Sequence, residues 1–167
     1  IDVSLVGSEM CIRDSLTVEL EADGTVSPDR LAAVLDADDQ PVSVVSIMAI
    51  NNETGVVNDI PALVEVTRRH APGAWFHTDA VQALGWIDLA AHVEGADLIS
   101  ITGHKFGGPV GTGALFVRHG VELDAQILGG GQERGRRAGT PDVAGAAAFA
   151  AAATATVAAR DTDCLLY

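Results

Sequence analysis

A run of apolar, largely β-branched residues at 42–50 (VSVVSIMAI) constrains the fold most strongly. Such a run is typical of a strand that is buried on both faces of a parallel sheet. It ends abruptly in the polar segment NNETG at residues 51–55. We therefore expect a strand in the interior of a sheet, followed directly by a polar loop.

The rest of the chain alternates between strand-like and helix-like segments. Further strands are predicted at 16–20, 74–78, 97–102 and 113–117. Three helices are predicted. The first follows an N-cap at Ser27, the second runs from a cap at Asp59 to about His70, and the third runs from Thr140-Pro141 to about Arg160. This alternation predicts an α/β fold, a three-layer α/β/α domain with a mostly parallel sheet. Ligands of such sheets bind where the strands end in loops, at their carboxyl ends.

Composition narrows the possible partners. The chain of 167 residues has 48% hydrophobic residues, enough for a core, and its length suits one domain or part of a larger one. Its net charge of -13 argues against binding to nucleic acid or to an anionic membrane. The Ala-rich stretch at 144–159 is expected to be too short to span a membrane.

Both ends of the chain differ in character from the middle. Residues 1–15 lack the pattern of a secretory signal and resemble translated adaptor or vector sequence, as do residues 161–167. We expect 16–160 to be the native part, the alternative being that both ends are ordinary native segments. The two cysteines, Cys11 and Cys164, lie in these ends, so neither a disulfide framework nor a metal site is expected.

The only lysine of the chain, Lys105, follows a predicted strand and precedes a glycine-rich segment. A lysine shielded from solvent there could act as an amine nucleophile toward an aldehyde. Thr102 and His104 beside it could donate hydrogen bonds to a phosphate, which the glycines would allow to approach the backbone. The alternative is an ordinary surface lysine in a turn.

Three further polar clusters are candidate functional sites, each with a plain structural alternative. Asp79 could pair with a protonated ring nitrogen, with Gln82 one helical turn later, or could simply cap a helix. Residues 129–140 (GGGQERGRRAGT) could bind an anion or contact a second subunit, or could form a solvated loop. The NNETG segment could be a plain turn.

Together these motifs resemble the class V aminotransferases, and most closely the pyridoxal-phosphate-dependent cysteine desulfurases of the nitrogen-fixation and iron–sulfur-cluster type. The resemblance covers about residues 16–159. The motifs that carry it stand in the family's order and approximate spacing: SIMAINNETGVV, FHTDAVQALG, DLISITGHKFGGPVGTGALFV and GGGQERGRRAGTP.

The resemblance implies a role for each matching residue of a fold type I large domain. Lys105 would form the Schiff base with pyridoxal 5'-phosphate and later shuttle a proton at the substrate α-carbon. Asp79 would pair with the pyridine nitrogen, so that the ring can act as an electron sink. Gln82 would hydrogen-bond the phenolic oxygen of the cofactor. The phosphate would be held by Thr102, His104 and a second subunit's Thr140. Asn52 would lie near the cofactor and the substrate carboxylate.

The implied activity is that of a cytoplasmic homodimer that converts L-cysteine to L-alanine. Sulfur would pass to an enzyme cysteine as a persulfide, and from there to an acceptor protein for iron–sulfur cluster assembly or tRNA thiolation. The family's sulfur-accepting cysteine loop has no counterpart in this sequence, so we expect no turnover by this chain alone. Two alternatives stay open: another class V enzyme such as a selenocysteine lyase, and a non-catalytic α/β domain.

Overall fold

Four strands form a single mixed sheet in the computed structural model, which describes residues 15–37 and 40–163. They are β1 (Val44–Met48), β2 (Trp75–Asp79), β3 (Leu98–Thr102) and β4 (Gly113–Val117), in that spatial order. β1, β2 and β3 run parallel, and β4 is antiparallel to β3. The predicted α/β fold with a mostly parallel sheet is thus confirmed, with the strand order following the chain order.

Four helices accompany the sheet: α1 (Pro28–Ala37), α2 (Ile60–His70), α3 (Leu89–His92) and α4 (Val143–Asp163). The two predicted caps are confirmed. The Ser27 hydroxyl accepts a hydrogen bond from the backbone N–H of Arg30 at 3.3 Å, and the Asp59 carboxylate accepts one from Ala62 at 3.1 Å. Both caps satisfy backbone donors that the first turn of a helix leaves unpaired.

The core lies between one face of the sheet and the helices α1 and α2. Alternate residues of a strand point to the same face, so β1 and β2 contribute Val45 and Phe76 to it. The largest fully buried side chains are Phe76, Leu31, Ile60, Leu63, Thr67 and Thr78. Burial of the four apolar members stabilises the sheet that positions the polar loops at its edge.

Two strand predictions are wrong in part. Residues 16–20 form no strand, because nothing in the described chain pairs with their backbone; Val18 still packs against the core. β1 is not buried on both faces: Val45 on one face is buried, whereas Val44 on the other is 50% exposed. An apolar strand sequence predicts burial but does not reveal whether both faces find a neighbour.

Helix α4 also differs from its prediction. It begins at Val143, where Asp142 accepts a hydrogen bond from the N–H of Gly145 at 2.9 Å, and it ends at Asp163. With 21 residues it is long and apolar enough to cross a membrane by length and composition, contrary to the expectation that it is too short. It is nevertheless joined to the α/β unit, because Thr156 donates to the Phe106 carbonyl at 3.1 Å and the Phe149 and Phe106 rings meet edge-on at 5.1 Å.

Candidate functional site

The polar segments predicted to carry chemistry follow three neighbouring parallel strands. Met48 at the end of β1 pairs in register with Asp79 of β2, and Asp79 pairs with Ser100 of β3. The carboxyl ends of the three strands therefore share one edge of the sheet, which is where α/β sheets bind ligands. This edge is the candidate site.

Lys105 lies in a single 3-10 turn, Gly103–Lys105, at the end of β3. The segment closes on itself, because the Gly103 N–H donates to the Thr112 carbonyl at 2.9 Å and the Gly108 N–H donates to the Gly103 carbonyl at 2.8 Å. A Cβ on Gly103 would overlap the Thr112 hydroxyl and lie 3.0 Å from the Phe149 ring. Only glycine allows this tight turn.

The environment of Lys105 differs from the prediction. Its side chain is exposed and not shielded from solvent. Gly103, at the start of the turn, lies against the Phe149 ring. The turn therefore presents the ε-amine outward, where a ligand that binds at the sheet edge can reach it.

Thr102 and His104 are brought into direct contact. The Thr102 hydroxyl lies 3.1 Å from His104 Nδ1 and 3.2 Å from the Thr112 carbonyl. A carbonyl only accepts, so the single hydroxyl proton goes to Thr112 and the hydroxyl oxygen accepts from Nδ1–H. His104 can then donate from Nε2 to an anion only when its ring is protonated.

Asp79 ends β2 with its side chain half-buried. Its Oδ1 accepts a hydrogen bond from the Val81 N–H at 2.9 Å, which closes a local turn. Within residues 15–37 and 40–163 no donor reaches Oδ2. Gln82 lies in the turn that follows and not on a helix, so the predicted helical spacing between the two is wrong, although the turn does bring Gln82 to the same end of β2.

The NNETG segment after β1 is a turn built by Asn51. Its side-chain oxygen accepts from the N–H groups of Glu53 and Thr54, both at 2.9 Å. Asn52 is exposed at the tip and does not make these turn hydrogen bonds. The plain-turn interpretation therefore holds for Asn51, while Asn52 stays a candidate for binding.

The loop at 129–140 is the most strained segment of the described chain. Glu133 and Arg134 both have positive φ values, 48° and 57°, which residues other than glycine rarely adopt. Such strain concentrates at binding sites and interfaces. Thr140 lies exposed at the end of this loop, just before α4.

A row of three polar side chains was missed by the interpretation of the sequence. His77 of β2 lies between Ser46 of β1, 2.7 Å from Nδ1, and Ser100 of β3, 2.8 Å from Nε2. Burial lowers the pKa of His77, and the negative charge of Asp79 partly opposes this. The available signal was a serine interrupting each of two otherwise apolar strands.

The structure thus unites part of the predicted set. Asn52, Asp79, Thr102, His104 and Lys105 all follow strand ends at one edge, and Gln82 is close behind Asp79 in the chain. In the described chain the one hydrogen bond between two members is that of Thr102 with His104. Among the described residues, Thr140 makes no hydrogen bond to another member, and its assignment to a second subunit's site stays a prediction.

Comparison with known proteins identifies the family of the chain. The family profile described as aminotransferase class V matches residues 10–161. A cysteine desulfurase IscS from an Anaeromyxobacter species is 46% identical over 138 residues, which is 81% of this chain and 33% of that protein. The chain spans about a third of the length of such curated relatives.

Solved structures are similar in fold. A NifS-like protein from Rickettsia africae superposes with a TM-score of 0.78 at 33% identity, over 86% of this chain and 39% of that one. SspA in complex with cysteine superposes with a TM-score of 0.76, also at 33% identity, over 84% of this chain and 40% of that one. With a family profile that matches nearly its whole length, this chain belongs to the class V aminotransferases.

Proposed function

We propose that the chain carries part of the cofactor domain of a cysteine desulfurase, which converts L-cysteine to L-alanine and passes the sulfur to an enzyme cysteine as a persulfide. The observation that carries the proposal is the position of the chain's only lysine, on a glycine turn at the shared end of three parallel strands. Relatives that are 41–46% identical and named cysteine desulfurases support this choice within the class V family.

The residues at the sheet edge fit pyridoxal 5'-phosphate. An aldehyde, a phosphate and a basic ring nitrogen require an amine, hydrogen-bond donors and a carboxylate, respectively. The exposed amine of Lys105, the His104 ring with the Thr102 hydroxyl beside it, and the half-buried carboxylate of Asp79 would supply these groups, with Thr102 donating to the phosphate only if its proton leaves the Thr112 carbonyl. The open Oδ2 of Asp79 leaves that carboxylate one acceptor for the ring nitrogen.

Each residue would contribute a distinct function in this chemistry. When bound, the cofactor supplies an electron sink for charge that develops at the substrate α-carbon. Asp79 would keep the ring nitrogen protonated, because a carboxylate favours the charged form of a neighbouring base. Lys105 would attach the cofactor through its ε-amine and, once released, would move the proton at the α-carbon.

The phosphate end and the phenolic oxygen would be held by side chains that donate hydrogen bonds. His104 in its protonated form would donate to the phosphate while Thr102 holds its Nδ1 in place. Gln82 would donate to the phenolic oxygen, and Asn52 would lie near the substrate carboxylate. Thr140, at the end of the strained loop, would reach the cofactor phosphate in the site of a second copy, so the intact enzyme would be a homodimer.

The same proposal extends to cellular context. The enzyme would act in the cytoplasm and pass sulfur to an acceptor protein, either a cluster scaffold or a tRNA-thiolation factor. The acidic surface, at a net charge of -13, supports a protein acceptor and not a nucleic acid as the direct partner.

A chimera tests the activity. Residues 16–160 would replace the matching third of the Anaeromyxobacter desulfurase, and alanine released from L-cysteine would be measured. We expect release that Lys105→Ala abolishes. A folded, cofactor-loaded chimera that releases no alanine from cysteine but acts on selenocysteine would contradict the desulfurase assignment and favour the alternative lyase.

A further inference from the structure

The Ser46–His77–Ser100 row crosses three strands on the face of the sheet opposite the core. Ser46 is the register partner of His77. Both ring nitrogens of His77 are within hydrogen-bond distance of a hydroxyl, at 2.7 Å and 2.8 Å. A neutral imidazole has one donor and one acceptor, and a hydroxyl can serve as either, so the row is fully satisfied with a neutral ring.

Ser100 is the residue on which the argument depends. In the parallel register it pairs with Asp79 and not with His77, so Ser100 and Asp79 occupy neighbouring positions on the same face of the sheet. A serine hydroxyl next to a carboxylate would ordinarily donate to it, because hydrogen bonds to charged acceptors are the stronger ones. Here the Ser100 hydroxyl is bound to His77 Nε2 instead.

The Asp79 carboxylate keeps an open oxygen as a result. Oδ1 is held by the Val81 N–H, and Oδ2 has no donor in the part of the chain that the structure describes. Oδ2 is not fully buried, so water can solvate it until a ligand at the sheet edge supplies a donor.

We propose that His77 is a positioning residue for Asp79: by binding Ser100 it keeps that hydroxyl away from the carboxylate, which stays available to a protonated ring nitrogen. This step rests on the proposed function, since the ring nitrogen belongs to the cofactor. His77 itself touches neither cofactor nor substrate. The charged group acting on its ring is Asp79, while the contacts from β1 and β3 are the neutral Ser46 and Ser100.

The backbone N–H of Val81 serves as a reporter that needs no cofactor. Because it donates to Asp79 Oδ1, its amide proton resonance moves when the carboxylate turns or gains a second donor. In the 167-residue chain, His77→Phe keeps an aromatic ring of similar size but frees Ser100. We expect the Val81 resonance to shift in this variant and to return toward its original position in His77→Phe/Ser100→Ala.

The single variant Ser100→Ala tests whether Ser100 is bound to Asp79, even if His77→Phe does not fold. Since Ser100 is not bound to Asp79, its truncation is expected to leave the Val81 resonance in place while it changes the 15N shift of His77 Nε2. A shift of Val81 in Ser100→Ala, or a shift in His77→Phe that persists in the double variant, would overturn the proposal. His92→Phe is the matched control, because the hydrogen bond of the His92 ring is to the Asn58 carbonyl and not to Ser100 or Asp79.

Cofactor binding gives a second readout. Pyridoxal phosphate is expected to bind His77→Phe about tenfold more weakly than His92→Phe, as for the loss of one charge-assisted hydrogen bond. The double variant is expected to recover most of this loss. If the unmodified chain takes no cofactor at Lys105, the proposed function fails, whereas the Val81 resonance still decides whether His77 controls Ser100.

Discussion

The guanidinium of Arg68 and the carboxylate of Asp97 form an ion pair at 2.5 Å that joins α2 to the start of β3. Asp97 is nearly fully buried, at 3% side-chain exposure, and also accepts from the Phe76 N–H at 2.7 Å. Arg68 in addition donates to the carbonyls of Ala74 and Gly95. The pair thus holds β2 and β3 side by side near the starts of these strands, at the end opposite the candidate site.

Removal of either partner is expected to destabilise the fold. Arg68→Ala would leave a buried carboxylate without its counter-ion, at a cost of about 3 kcal/mol in the free energy of unfolding. The control is the Arg69–Glu65 pair, which is equally short at 2.6 Å but exposed, so Arg69→Ala should cost less than about 1 kcal/mol. Urea unfolding of both variants measures the difference, and equal costs would contradict this account of Asp97.

Thr78 is expected to be a site where a substitution stabilises the protein. Its hydroxyl is fully buried and has no hydrogen-bond partner within the described residues. Thr78→Val keeps the shape and removes this unsatisfied group, so we expect a gain of about 1 kcal/mol in unfolding free energy.

Thr67 provides the matched control for that substitution. It is buried to the same extent, but its hydroxyl donates to the Leu63 carbonyl at 2.9 Å. Thr67→Val should therefore lower the unfolding free energy, or leave it unchanged. A loss of stability in Thr78→Val would show that the hydroxyl has a partner.

Gly103→Ala is expected to disrupt the turn that presents Lys105. The new methyl group would meet the Thr112 hydroxyl, the Phe149 ring and the Pro109 carbonyl at once. Overpacking of this kind costs about 1–3 kcal/mol, and relief would displace the lysine. Thermal unfolding and the rate of Lys105 modification by an aldehyde reagent measure the two effects.

Gly73→Ala is the control for this glycine. A Cβ at Gly73 meets nothing within 4 Å and its φ is not positive, so the variant should match the parent in both assays. Normal Lys105 reactivity in a stable Gly103→Ala protein would show that the tight turn is not required.

The stability of the fold should depend on pH through His77. Burial lowers the pKa of His77 below its ordinary value of 6.5, so the folded protein binds fewer protons than the unfolded chain. Stability from this group is therefore fully present above pH 6.5 and is lost as the pH falls through the lowered pKa. Urea unfolding at neutral and acidic pH should show this loss, and His77→Phe should reduce the dependence of the unfolding free energy on pH. An unchanged slope in His77→Phe would be the contrary result.

Much of the fold follows from local signals in the sequence. The caps at Ser27 and Asp59, and the strand at Gly113–Val117, were predicted because each depends on residues close in the chain. The grouping of polar loops at one edge was also predictable, since parallel strands must end together.

What the sequence did not reveal depends on distant neighbours. Whether residues 16–20 pair as a strand, or Val44 is covered, is decided by elements far away in the chain. The exposure of Lys105 was also not predicted, because solvent access to a side chain depends on the packing of segments distant in the chain. The His77 row was missed because it depends on the register of three strands, which single-strand patterns do not contain.

The boundaries at residues 15 and 160 stay predictions. Cys11 and Cys164, together with most of residues 1–15 and the last residues of 161–167, lie outside the described part of the chain. Residues 161–163 continue helix α4. The assignment of the two ends as non-native therefore rests on the sequence alone.

The most direct test of the central claim is reductive trapping at Lys105. The folded chain is incubated with pyridoxal phosphate and reduced with borohydride, and the modified peptide is identified by mass, with Lys105→Arg as the control for reaction at the chain's α-amine. Since Lys105 is the only lysine, we predict a pyridoxyl group on the peptide that contains it and none in the control. Folded protein whose Lys105 peptide stays unmodified would contradict the claim that this sheet edge is a pyridoxal phosphate site.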